Sequence, residues 1–138
     1  MKLSVLFLLA LPTATWAAAP ADDATQRSLD ACLAAPGGAS TAGQTQCEVT
    51  AQQSYDRRMN RAYTQLMRKL PPAAAARLRA AQRAWIAFRD ADEAARSALY
   101  ETRQGTMYVP MQAAASARIV CDRALELEGL LQVMTIDD

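Results

Sequence analysis

Histidine is missing from this chain altogether, and that absence excludes more chemistry than any residue present suggests. Histidine is the usual general base and the commonest metal ligand near neutral pH. Without it, hydrolase and metalloenzyme mechanisms lose their most frequent carrier. Aromatic residues make up only 6% of the chain. The alternating β-branched runs that announce strands are nearly absent. Charge of either sign is not in excess, with 15 Lys+Arg against 14 Asp+Glu. That balance gives no basic face for nucleic acid and no reason to expect a membrane surface.

The first residues, "MKLSVLFLLALPTATWAAAP", have the layout of a secretory signal peptide. Lys2 opens an apolar run from Leu3 to Leu11, Pro12 breaks it, and small residues follow. The run is far short of the roughly 20 residues a membrane-spanning helix needs. Thr15-Trp16-Ala17 places small residues at −3 and −1, which sets the expected cleavage after Ala17. No cysteine follows the run, so no lipid anchor is expected. Residues 18–138 then form one small exported domain. Thirteen of the chain's basic residues are arginine, which favours fixed ion pairs over flexible surface charge.

Periodicity marks the helices. "ATQRSLDACLAA" suits a short leading helix, which "PGGASTAG" breaks. From about Gln44 to Leu70, Cys47, Ala51, Tyr55, Met59, Ala62, Leu66 and Leu70 recur at three- and four-residue spacing. Pro71-Pro72 ends that helix, and Pro72 suits the first turn of the next. The next helix, from about Ala73 to Thr102, has an expected inward stripe of Leu78, Ala81, Trp85, Phe88, Asp92 or Ala95, and Leu99. Gly105 is the expected cap and Pro110 the restart. A last helix from Met111 to Val133 aligns Ala113, Ala117, Val120, Ala124, Leu127 and Leu131. The expected fold is all-α, a short N-terminal helix followed by three long helices packed up-down-up.

So alanine-rich a core buries little area per residue. At roughly 25 cal/mol per Å² of apolar surface, large side chains such as Tyr55, Leu66, Trp85 and Phe88 must supply much of the stability. A disulfide is the usual supplement in a small secreted domain. Cys32, Cys47 and Cys121 allow three single pairings. Cys32 and Cys47 lie about equally far from the middle of the glycine turn, so antiparallel helices rising about 1.5 Å per residue bring them to one height. Cys47 with Cys121 also remains open. In the favoured pairing, Cys121 behaves as a small buried apolar residue.

Two stretches, "YDRRMNRAYTQLMRKL" (Tyr55 to Leu70) and "LRAAQRAWIAFRD" (Leu78 to Asp90), resemble the LprI-like lysozyme-inhibitor family of secreted bacterial proteins. The resemblance rests on Ala-Gln-Arg-Ala-Trp followed by Phe-Arg-Asp, and on the spacing of Asn60 and Tyr63. Many members carry four cysteines, the third just after the Arg-Asp pair, where Glu93 stands here. "GTMYVPM" looks like a branch keeping only the first cysteine pair, which also favours Cys32–Cys47. The resemblance implies a periplasmic protein that binds and sterically inhibits a lysozyme-type muramidase, with no enzymatic activity and no cofactor. Alternatives are an immunity protein against a delivered cell-wall-degrading toxin, or a structural or envelope-stress protein without an enzyme target.

Tyr55, Asn60, Tyr63, Gln82, Trp85, Phe88, Arg89 and Asp90 are expected to be structural. Arg89 would pair with Asp56 or Asp92, and Gln82 or Asn60 would satisfy a helix end or a nearby carbonyl, locking the first two long helices in register. Asp90 and Glu93 share one side with Asp92 turned away, and without histidine they read as solvated surface. The tail "TIDD" reads as a frayed end. The loop "RQGTMYVPM" supplies the expected target contacts, Arg103, Gly105, Thr106, Met107 and Tyr108. Loops on a rigid scaffold carry contacts, and Tyr and Met are enriched at interface cores. Met107 and Tyr108 also fit a cap over the end of the bundle.

Overall fold

A computed structural model describes residues 23–136. The leader expected at 1–17, the first residues of the domain expected from Ala18, and the terminal pair Asp137-Asp138 lie outside them. Among the described residues the chain forms α1 (Ala24–Ala34), α2 (Thr41–Lys69), α3 (Pro72–Glu101) and α4 (Tyr108–Val133), with a 3₁₀ turn at Pro36–Ala39 and no strand. The fold is the expected all-α one, a short leading helix and a long up-down-up trio.

Local chemistry sets each boundary. The Asp23 carboxylate caps α1 by accepting from the Thr25 and Gln26 amides, satisfying donors that have no partner inside the helix. Ser40 caps α2, its Oγ accepting from the Gly43 amide. Helix α2 therefore begins three residues before the expected Gln44. A Cβ at Gly43 would collide with the Gly37 carbonyl, so glycine there lets the 3₁₀ turn lie directly on the helix. Leu70 ends α2, and Pro72 stands in the first turn of α3.

Gly105 was the expected cap of α3. That cap is Thr102, and Gly105 lies in the following loop at φ +123°, a conformation glycine adopts without strain. Helix α4 starts at Tyr108 rather than at Met111. Pro110 is its third residue, where the missing N–H would have had no helical partner anyway.

The principal interface joins α2 and α4. Ala51, Ala62 and Ala124, with the buried Ala117, let the backbones approach, and Tyr55, Met59, Leu66, Val120 and Leu127 fill the space between. Every expected α2 position from Cys47 to Leu66 is buried, and Leu70 is half-buried. Cys32 and Cys47 form the disulfide, with Cα atoms 5.8 Å apart, and Cys121 is free and half-buried.

Helix α3 departs from expectation. Its inward stripe is Ala75, Leu78, Gln82, Trp85, Arg89, Asp92, Arg96 and Tyr100, all buried or half-buried. Phe88 is 59% exposed and Leu99 57%, and Ala81 and Ala95 are exposed too. At 3.6 residues per turn, Phe88 points roughly 90° away from that stripe. The seam follows a regular three-four spacing, but half its members are polar, so tracking apolar residues alone drifts off it.

Candidate functional site

Three features of the bundle could hold function. They are the seam around Trp85, an ionic hub beneath α1, and a groove at the Met107 end.

Gln82 is buried in the seam. Its Oε1 accepts from Arg123 Nε at 3.0 Å, and its Nε2 lies 3.7 Å from Met59 Sδ. The amide thus ties α3 to α4 and touches α2. The Arg123 and Arg89 guanidiniums both lie against the Trp85 ring, at 5.9 and 5.3 Å from its centroid. Arg123 Nη1 reaches Glu126 at 2.7 Å. The partners expected for the motif differ. Arg89 pairs with its neighbour Asp90 at 2.7 Å, Asp92 pairs with Arg96, and Asn60 Nδ2 donates to Asp56 at 3.0 Å instead of to a helix end. Tyr63 is half-buried against the core. Asp90 and Glu93 are exposed. Gln82, Arg89, Arg96 and Arg123 each have a side-chain partner in this seam, while Arg96 Nε and Nη2 and Arg123 Nη2 are buried without one.

The hub escaped sequence reasoning. Arg58 holds Glu128 bidentately, Nε–Oε1 at 2.8 Å and Nη2–Oε2 at 2.7 Å, and reaches Asp23 at 2.5 Å. The Tyr55 hydroxyl donates to the other Asp23 oxygen at 3.2 Å. Burial alone would raise the Asp23 carboxyl. The Arg58 hydrogen bond and charge, with the Gln26 and Thr25 amides, outweigh it and hold the group below its ordinary value. Burial, with the neighbouring thiol of Cys121 and the Asp23 carboxylate, pushes the Tyr55 phenol upward. One arginine therefore pins the start of α1, the middle of α2 and the last third of α4. The sequence signal was faint, an Asp before "ATQ" and an Arg three residues after a core Tyr.

The groove runs between α1 with its 3₁₀ turn and α4, floored by α2. One depression of about 510 Å³ is walled by Leu33, Gly38, Met107, Pro110 and Met111. A second of about 430 Å³ is walled by Leu29, Tyr55, Ala117, Cys121 and Leu125. Glu48 and Ala114 line both, so the two are continuous. Burial raises the Glu48 carboxyl above its ordinary value, and burial likewise raises the Cys121 thiol. Of the loop residues, Arg103, Gly105, Thr106 and Met107 are exposed. Tyr108 is half-buried, its ring 6.1 Å from that of Tyr100, so it props the loop from beneath while Met107 forms the rim of the groove.

The opposite face, along α2 and α3, is basic. Residues 57–89 hold nine Lys or Arg and no Asp or Glu, one of the nine, Arg58, being turned into the hub. A cleft of about 410 Å³ between the helices is lined by Arg79, Arg83 and Arg89, by one carboxylate, Asp56, and by Asn60 and Tyr63 among others. Among the described residues, no group of three or more His, Cys, Asp or Glu side chains could hold a metal. No helix there is long and apolar enough to cross a membrane.

The family model described as "Lysozyme inhibitor LprI" matches residues 32–127. The chain is also similar to the crystal structure of an uncharacterised protein from Burkholderia thailandensis, at 34% identity and a TM-score of 0.78. That match covers 83% of this chain and 57% of the other, so the chain spans little more than half of the solved relative. No curated protein matches at a significant level.

Proposed function

Because the chain belongs to the LprI family of lysozyme inhibitors, we propose that it is exported to the periplasm and sterically inhibits a lysozyme-type muramidase. Family membership carries this reading. Support comes from the Cys32–Cys47 bridge, which suits an oxidising compartment, and from the leader-like residues 1–17. The contacts assigned to the target are Arg103, Gly105, Thr106 and Met107, a short loop between two long helices, with Tyr108 holding the loop in place. A loop fixed this way loses little freedom on binding, which conserves affinity.

Inhibition then needs no chemistry from this chain, since a rigid edge seated in a glycan cleft excludes substrate. The purified 18–138 protein is expected to retain at least one of the chicken-type, goose-type, invertebrate-type or phage-like muramidases on an affinity column. Retention of none would sink the reading.

A further inference from the structure

Every charged side chain that is buried or half-buried here has a side-chain partner, with a single exception among the described residues. Asp23, Arg58 and Glu128 share the hub. Arg123 has Gln82 and Glu126, Arg89 has Asp90, Arg96 has Asp92, and Asp56 has Asn60. Glu48 is half-buried and pairs with none of them. It stands where the two halves of the groove meet. A half-buried carboxylate with which no side chain pairs costs stability, and locally unfavourable choices of this kind concentrate at functional sites.

We propose that the groove receives a protein segment that presents an arginine or lysine side chain to Glu48, flanked by aliphatic residues. This rests on the reading that the partner is a protein, and it names the chemistry of that partner. The walls select the aliphatic part. Leu29, Leu33, Pro110 and Ala117 offer apolar surface, and Met107 and Met111 are 58% and 47% exposed at the rim. Methionine adapts its shape to what it meets.

Glu48 selects the cation. A free metal ion is a poor occupant, because a lone carboxylate gives it too few ligands. A small hydrophilic cation would leave the apolar walls unfilled. The other charged and titratable groups facing the groove are Tyr55, Arg118, Cys121 and Asp122; Arg118 and Asp122 offset each other, which leaves Glu48 as the net charge of the groove. The basic α2–α3 face points elsewhere, so a cationic segment is drawn to this side of the molecule.

The test uses the lysozyme that the parent protein binds, titrated calorimetrically against the parent, Glu48→Gln and Glu48→Lys. Glu48→Gln is expected to melt at or above the parent temperature and to bind at least tenfold more weakly, and Glu48→Lys to lose binding. Parental affinity is expected to rise with pH through the raised Glu48 value, because an incoming cation favours the ionised form, while Glu48→Gln shows no such rise. Equal, pH-independent affinity of the parent and Glu48→Gln overturns the inference and leaves the inhibitor reading standing. If the parent binds no lysozyme, both fall. If the parent sediments as a dimer that Glu48→Lys dissociates, the occupant is a second copy, and the inference is overturned.

Discussion

Arg123 Nε donates to Gln82 Oε1 at 3.0 Å across the seam between α3 and α4, with both residues buried. Neither group can turn to water if the other is removed. Gln82→Ala is expected to cost about 1–3 kcal/mol by leaving the buried Arg123 Nε without an acceptor, while Nη1 keeps Glu126. The double variant Gln82→Leu/Arg123→Met should recover much of that loss, because apolar replacements of a buried polar pair are often neutral. Urea denaturation of the three proteins checks this. A double variant as unstable as Gln82→Ala alone would show that the pair does more than satisfy itself.

The hub has a pH signature. The Asp23 carboxyl is held below its ordinary value in the folded protein. The stability it contributes is therefore present above the ordinary carboxylate value and is lost as pH falls through the lowered one. Asp23→Asn should flatten that acid limb of the stability curve. Arg58→Ala should cost about 3 kcal/mol near neutral pH, since it leaves Asp23 and Glu128 without their counter-charge. Stability of Asp23→Asn measured from pH 7 to pH 3 would count against the hub if it tracked the parent throughout.

Two aromatic residues separate what the sequence revealed from what it hid. Tyr55→Ala is expected to cost about 3–5 kcal/mol, as for other large core aromatics, because its ring is 2% exposed. Phe88→Ala, on the solvent side of α3, should stay within about 0.5 kcal/mol of the parent. Melting temperatures settle the contrast. A large drop for Phe88→Ala would mean that this side chain is covered in solution.

The contrast also explains how legible the fold was. The stripes of α2 and α4 were readable because their buried positions are nearly all apolar. In α3 the inward positions include the buried Gln82 and the half-buried Arg89, Asp92 and Arg96, while Phe88 and Leu99 face water. Apolar periodicity cannot find a polar seam. The partners of Gln82 and Arg58 are 41 and 70 residues away in sequence, and single-residue spacing carries no trace of such pairings. The Cys32–Cys47 bridge was legible because a short turn fixes relative height. The groove was not, since it exists only once α1 and α4 lie across α2.

Removing the disulfide should matter more than its place near one end suggests. Cys32→Ser/Cys47→Ser is expected to lose about 3 kcal/mol in the chain-entropy account for a loop of this size. The parent should carry one free thiol, at Cys121. Thiol titration in denaturant with and without reductant gives the count. A parent with three titratable thiols before reduction would contradict the pairing.

Lysozyme inhibition is the central claim, and turbidity assays of cell-wall lysis test it most directly. The 18–138 protein is to be added in rising amounts to chicken-, goose- and invertebrate-type lysozymes and a phage-like muramidase, beside Thr106→Ala and Met107→Ala. The account predicts that the parent slows at least one of these enzymes at near-stoichiometric ratios. It also predicts that the loop variants fold normally yet bind more weakly, by about 2 kcal/mol if Met107 is a hot spot. Undiminished lysis by all four enzymes with the parent in excess would contradict it.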